Sequence, residues 1–266
     1  MNRILYHYTT IEALFSIIEQ MTILSDIDES GQKKEHWVLP LRATHIGFLN
    51  DSTEGNLLPC ALAEMNVSQK AVKSAVLQNG KQYVLSFSKK KDDLNMWRSY
   101  SDDGYGVMLG FDRDGLEKHV NELYKNDNPM SLAMPVVDCD YVGNEEISVK
   151  LIEDKDLAEY QAKGNMLALS GVLENSLKYK HPCFHDEKET RVIIVGALQE
   201  KYRISKHSIV PYQELTFPVT LLKEIRFGPK ADFERNRFSV ANMLKNKLGE
   251  VHMKHIRFEK SELPYV

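Results

Sequence analysis

The run Gly106-Val107-Met108-Leu109-Gly110-Phe111 contains no polar side chain. A strand of that composition has no face suited to water and fits a buried position in a sheet. Around it the chain offers two other patterns. Gln82 to Ser88 alternates, with Tyr83, Leu85 and Phe87 on one face and Val84, Ser86 and Ser88 on the other. Ile11, Leu14, Phe15 and Ile18 recur at helical spacing behind Thr9 or Thr10, either of which can cap a helix. That spacing predicts a core-facing stripe.

The same criteria predict strands over 3–8, 22–24, 136–141, 189–195, 215–219, 223–227 and 252–258, with Gly228-Pro229 ending the strand before it. They predict a helix around Val72, Ala75 and Val76. A longer helix is expected over 153–177, with Met166, Leu169 and Leu173 buried, and another over 231–248, with Val240, Met243, Leu244 and Leu248 inward. Residues 28–36 read as a polar surface loop. Leu49-Asn50-Asp51-Ser52-Thr53-Glu54 reads as a turn into a helix capped by Asn50 or Asp51. Strands and helices are mixed rather than strictly alternating, and no βαβ unit carries a glycine fingerprint. The expected class is therefore α+β. With no repeat, low-complexity tract or clear linker, residues 1–266 are expected to form a single domain.

Composition excludes several functions. Lys and Arg total 34 against 38 for Asp and Glu, giving a net charge of -4. No basic face for duplex nucleic acid is evident. Ser88-Lys89-Lys90-Lys91 is answered at once by Asp92 and Asp93, which suits a solvated loop better than a phosphate-steering patch. Cys60, Cys139 and Cys183 lie far apart and form no CxxC pair, so no zinc ribbon is expected. The odd cysteine count and the absence of a leader-like start point to a reducing, cytoplasmic compartment. No apolar stretch approaches the ~20 residues of a membrane span.

Chemistry-bearing residues gather in a few places. Tyr6-His7-Tyr8-Thr9-Thr10 places an imidazole, phenols and hydroxyls along an early strand, where they can bond a polar ligand. Alternation turns His7 away from Tyr6 and Tyr8, so His7 and Tyr8 share a site only if the strand bends or Tyr8 reaches round an edge. Ser86 and Ser88 share a face and can bond a ribose or phosphate, or simply face solvent. Period-two spacing places Glu187, Glu189 and Arg191 on one face. Two such carboxylates repel, which raises the pKa of one, and Arg191 offsets the repulsion. That arrangement suits stabilising positive charge or taking a proton, though an exposed charged edge has the same spacing. His181, Cys183 and His185 alternate as metal ligands could, but Pro182 disturbs the strand and no second cluster completes a set. No metal is expected, and Lys180 and His181 fit better as polar groups near the carboxylates. Trp97 and Tyr100, at helical spacing, can stack on a ring or pack in the core.

The order LYHYT at 5–9, LND with a following Glu at 49–54, SFS at 86–88, WRSY at 97–100, GVMLGF at 106–111, KH at 180–181, EKETR at 187–191 and IRFGP at 225–229 resembles one widespread, mostly bacterial family. It is catalogued as domain of unknown function number twenty-nine seventy-one. Phe184 keeps an aromatic where that family usually has one. More distantly, a first-strand histidine, a middle-strand serine and a late glutamate resemble the three-part motif of ADP-ribosyltransferases. That resemblance implies mainly antiparallel sheets with helical insertions, and NAD as substrate. It assigns His7 to the ribose of NAD, Ser86 or Ser88 to the nicotinamide pocket, and Glu189 to the reacting sugar. Glu187 resembles the extra carboxylate that activates an acceptor. Tyr8, Thr9, Trp97, Tyr100, Lys180, His181 and Arg191 complete the expected nucleotide contacts. The middle strand departs from the arginine-specific STS pattern by offering SFS, and no clear acceptor loop is visible.

The implied function is an ADP-ribosyltransferase or NAD glycohydrolase, acting on a protein, a nucleic acid or NAD itself as a toxin or anti-phage effector. A non-catalytic nucleotide sensor and a protein-interaction module are the alternatives on the same fold. Self-association or a defence-system partner would fit either.

Overall fold

Thr10 begins the first helix of the computed structural model, its hydroxyl accepting from the Ala13 amide at 3.2 Å. Residues 3–27, 33–49, 57–79, 81–127, 134–195, 199–205 and 208–265 are described. The order runs β1 (Ile4–Thr9), α1 (Ile11–Glu19), β2 (Thr22–Ile27), β3 (Lys33–His45), α2 (Leu57–Glu64), α3 (Gln69–Asn79) and β4 (Gln82–Ser88). It continues with α4 (Leu94–Tyr100), β5 (Val107–Asp112), α5 (Arg113–Asp127), β6 (Met134–Asp138), β7 (Asp140–Tyr141), α6 (Asn144–Ile152), α7 (Lys155–Lys163) and α8 (Met166–Asn175). It ends with β8 (Tyr179–Lys180), β9 (Glu189–Val195), β10 (Lys201–Ser205), β11 (Ser208–Pro218), β12 (Leu222–Phe227), α9 (Phe233–Leu248), α10 (Glu250–Met253) and β13 (Arg257–Lys260).

Contacts gather the chain into two units. The first takes Met1–Leu41, Phe87–His119 and Glu214–Val266, and the second Arg42–Ser86 and Val120–Gln213. In the first, β5 is antiparallel to β1 on one side and to β12 on the other, while β13 lies parallel to β12. Being flanked on both edges suits the apolar run, and Val107, Met108, Leu109 and Phe111 are buried. The registers place Ser88, Tyr6, Gly110, Glu224 and Arg257 in one row across the strands. Tyr8, Met108, Arg226 and Glu259 form the next row on that face. Gly106 leaves room for close backbone approach: a Cβ there would stand 2.3 Å from the Thr9 carbonyl oxygen.

In the second unit the end of β3 pairs with β4 through Thr44↔Val84 and His45↔Tyr83. β6 is antiparallel to β9, β7 is parallel to β8, and β10 and β11 form an antiparallel hairpin. Leu62, Val72, Ala75, Ile147, Leu151, Leu157, Leu169 and Val172 close a separate helical core. Strand pairing is mainly antiparallel and the architecture is mixed α and β, as the α+β reading expected. No helix among the described residues is long and apolar enough to cross a membrane.

Several expectations change. The helix expected over 153–177 is two helices, α7 and α8, because Gly164 takes a left-handed conformation at φ 69 and caps α7. Residues 33–36 belong to β3, where they pair with β2, rather than to a loop. The end of the chain is strand only over β13, because α10 forms first and Val251 faces solvent. Phe15 is exposed while Leu14 and Ile18 carry the buried face of α1. Asn50, Asp51 and Glu54 lie outside the described residues, as do residues 28–32 of the expected loop.

Candidate functional site

Two short parallel strands bring Tyr141 beside Lys180. From β8 the chain enters a 3-10 turn over Pro182–Glu187, capped by His181, whose Nδ1 accepts from the Cys183 amide at 3.2 Å. Lys188 then takes φ 46, which reverses the chain, and β9 starts at Glu189. Glu187 therefore does not lie on the strand, and the period-two argument that grouped it with Glu189 and Arg191 fails. Lys180 groups it with them instead. Its ammonium donates to Glu187 Oε2 at 2.6 Å and to Glu189 Oε2 at 2.8 Å. Arg191 donates from Nε to Glu189 Oε1 and from Nη2 to Glu189 Oε2, both at 2.9 Å, and from Nη1 to the Leu177 carbonyl at 2.8 Å. The Glu189 amide donates to the Tyr141 hydroxyl at 2.7 Å. Lys180 Nζ also sits 4.9 Å from the centroid of the Phe184 ring, within cation–π range.

Two cations thus meet two carboxylates in a dry setting. Side-chain exposure is 5% for Lys180 and Glu189 and 3% for Arg191, against 16% for Glu187. Burial alone would raise the Glu189 carboxyl. The Arg191 and Lys180 charges, with their hydrogen bonds, outweigh burial and hold it down to about 2. Carboxylate repulsion does not raise Glu189, because the Arg191 and Lys180 cations outweigh it. Burial pushes the Tyr141 hydroxyl up to about 12, so it remains a phenol at neutral pH. Removing one partner from such a network leaves a buried charge unpaired and costs about 3–5 kcal/mol. Chemically, the network holds one fixed, ionised carboxylate inside and presents a second, Glu187, at its rim.

The early residues belong to the first unit. Alternation along β1 places His7 on the face opposite Tyr6 and Tyr8, its ring 5.8 Å from that of Phe87 in an edge contact. Tyr8 packs edge-on to Trp97 at 5.0 Å, and Met96, Met108 and Tyr100 surround them. The Tyr8 hydroxyl donates to the Lys90 carbonyl at 2.9 Å and accepts from the Asp93 amide at 3.0 Å. Burial raises its pKa above the ordinary value. Trp97 is fully buried and its indole donates to Asp92 Oδ1 at 2.8 Å, so it serves the core. The Thr9 carbonyl accepts from the Ser101 hydroxyl at 2.7 Å. Ser88 is buried rather than solvent-facing, its hydroxyl accepting from the Lys90 amide at 3.0 Å. Ser86 falls in the second unit and is half-buried.

The structure therefore assembles Lys180, Glu187, Glu189 and Arg191 in the second unit, and packs Tyr8, Trp97 and Tyr100 together in the first, with His7 on the other face of β1. Sequence reasoning missed Tyr141 as a partner of Glu189. It also missed a second Glu-x-Arg pair. In β12, Arg226 Nε donates to Glu224 Oε1 at 2.8 Å, and Glu224 Oε2 also receives Lys91 at 3.1 Å and Arg257 at 3.2 Å. The signal was present, since Glu224 and Arg226 repeat the spacing of Glu189 and Arg191. Among the described residues no three His, Cys, Asp or Glu side chains converge as a metal set requires.

No curated protein and no solved structure matches the chain. Residues 96–192, a stretch that holds Trp97, Tyr100 and the whole Lys180–Glu187–Glu189–Arg191 network, match the model of a family described as a protein of unknown function, DUF2971.

Proposed function

We propose that the chain is an NAD-using ADP-ribosyltransferase or NAD glycohydrolase in which Glu187 meets the reacting ribose and Glu189 positions it through Lys180. One observation carries this reading: a buried lysine bridges two carboxylates, at 2.6 and 2.8 Å, and only one of the two is near the surface. Cleaving the bond between nicotinamide and ribose develops positive charge on the sugar, as in glycoside hydrolysis. A carboxylate already fixed in a low-dielectric setting stabilises that charge without reorganising. Glu189 cannot fill that role directly, because both of its oxygens are bonded to Arg191 and Lys180. The resemblance of His7, Ser86 or Ser88, and Glu187 with Glu189 to the ADP-ribosyltransferase motif order supports the choice of NAD. By that resemblance Ser86, in the same unit as Glu187, would line the nicotinamide pocket. A protein or nucleic-acid acceptor and a cytoplasmic toxin or anti-phage role belong to the same proposal.

A second reading is a nucleotide sensor that performs no chemistry. It is favoured by the saturation of Glu189 just described. Incubation of the full chain with labelled NAD separates the two. The enzyme reading expects released nicotinamide from the wild type and at least a hundredfold loss in Glu187→Gln, the scale on which removing one charge-stabilising group slows catalysis, at a temperature where circular dichroism shows the variant still folded. Nucleotide-dependent stabilisation with no product would favour the sensor. Undiminished turnover in Glu187→Gln would remove the assigned role.

A further inference from the structure

The β10–β11 hairpin, which lies in the second unit as far as Gln213, turns a row of apolar side chains to water. The two strands keep one antiparallel register from Lys201↔Tyr212 to Ser205↔Ser208. Ile204 stands directly opposite Ile209, and alternation puts Tyr202 on the same face. Ile204 is 84% exposed, Ile209 68% and Tyr202 62%, and no large apolar side chain among the described residues is more exposed than Ile204. β10 ends the strand order of its sheet, so among the described residues no strand pairs with its outer edge. Such an edge offers the N–H and C=O groups of alternate residues to another strand, and a bulge, a proline or an edge charge is the usual guard. The register of β10 shows no bulge and its sequence holds no proline. Alternation places Lys201 and Arg203 on the other face. There Arg203 turns inward and donates from Nη2 to Thr44 Oγ1 at 3.2 Å, so its charge does not guard the apolar face.

We propose that the β10 edge is a self-association surface, on which a second copy of this chain pairs antiparallel about a two-fold axis at Ile204. Each copy supplies the same residues to such an interface, so the patch must complement itself. An axis at Ile204 meets that condition. One apolar row then runs from Ile209 and Ile204 to the partner's Ile204 and the partner's Ile209. Charge selects the same register. With the axis at Ile204, Arg203 falls opposite the partner's Ser205. An axis at Arg203 would set two guanidinium groups directly opposite each other, which is destabilising. Covering Tyr202, Ile204 and Ile209 on both copies, with the edge backbone, removes on the order of 1,000 Å² from water, short of the roughly 1,600 Å² of a standard stable interface. The dimer is therefore weak and reversible. It goes beyond the NAD reading and uses no residue of the Lys180 network.

The test is sedimentation equilibrium of the full chain from about 1 μM to about 1 mM, the span over which weak complexes form and dissociate. The wild type is expected to pass reversibly from monomer to dimer. Ile204→Lys and Ile204→Glu should each associate at least tenfold more weakly, because like charges meet across the axis. Both change an exposed side chain, so circular dichroism should show the fold retained. An equal mixture of the two variants should dimerise again, since opposite charges then face each other. A wild type that stays monomeric at the highest concentration overturns the proposal. So does a dimer that Ile204→Lys leaves intact, which would place the contact elsewhere. Association that continues past the dimer contradicts a closed two-fold edge, and a mixture that stays monomeric contradicts the register at Ile204.

Discussion

The strands β9 and β12 carry the same three-residue device, Glu189-Thr190-Arg191 and Glu224-Ile225-Arg226, in different units. In each, a buried arginine grips a buried glutamate two residues earlier on the same face. The partners that complete the two pairs differ. Glu189 receives Lys180, whose side chain is 5% exposed and which holds a second carboxylate. Glu224 receives Lys91 and Arg257, 43% and 61% exposed. Arg226 also donates to the Lys260 carbonyl at 2.7 Å and stands 3.5 Å from Asp92. Asp92 in turn accepts from Ser261 and Trp97. Among the described residues, one device is held by a buried lysine and the other by cations that reach in from solvent. A motif of fixed spacing thus defines only its own pair, while the surrounding elements decide whether the pair is insulated.

The comparison can be broken most readily by removing cations. Arg191→Met and Arg226→Met should each cost about 3–5 kcal/mol in chemical denaturation, because each strands a buried carboxylate. Lys180→Met should cost a similar amount, since it unbalances two acids at once. If it cost under about 1 kcal/mol, Lys180 would not be part of an insulated network.

Acid sharpens the contrast. Glu189 has a folded pKa held at about 2, below its ordinary 4.5. Its contribution is therefore complete above pH 4.5 and is lost as the pH falls from there toward 2. At 1.36 kcal/mol per unit the loss is roughly 3 kcal/mol. Glu189→Gln should flatten that limb of the stability curve while lowering stability at neutral pH. A limb unchanged in the variant would place the titration elsewhere.

Lys91→Met gives the smallest effect. Its ammonium is nearly half exposed, so the loss should stay under about 1 kcal/mol. At about 1 M salt, where the screening length falls to roughly 3 Å, that loss should shrink further, while the Lys180→Met loss persists. Equal salt sensitivity in the two variants would erase the distinction between the devices.

Much of this frame was legible in the residues. The apolar run at 106–111 fits a buried strand, the alternation at 82–88 marks β4, and Thr9 or Thr10 offers a cap for α1, which Thr10 supplies. What escaped depended on distant pairing or on a single backbone angle. Nothing local shows that Gly164 turns left-handed and divides α7 from α8, since a helix tolerates an isolated glycine. Glu187 and Glu189 were found, but their spacing suggested a strand where Lys188 reverses the chain. Lys180 was noted only as a polar neighbour, because its reach to both acids follows from β7 pairing with β8. Helix α5 passed unremarked, as Leu116 and Val120 are among few apolar residues in it. Its start is marked by Asp112, whose side chain accepts from the Gly115 amide at 2.8 Å.

A double-mutant cycle joining Lys180→Met and Glu189→Gln measures the lysine bridge most directly. If Lys180 binds the acids into one insulated unit, the two losses will be strongly non-additive, with a coupling on the order of 2 kcal/mol or more. Additive losses, with a coupling under about 0.5 kcal/mol, would show that the lysine and the carboxylate act separately and would contradict the network on which the site is built.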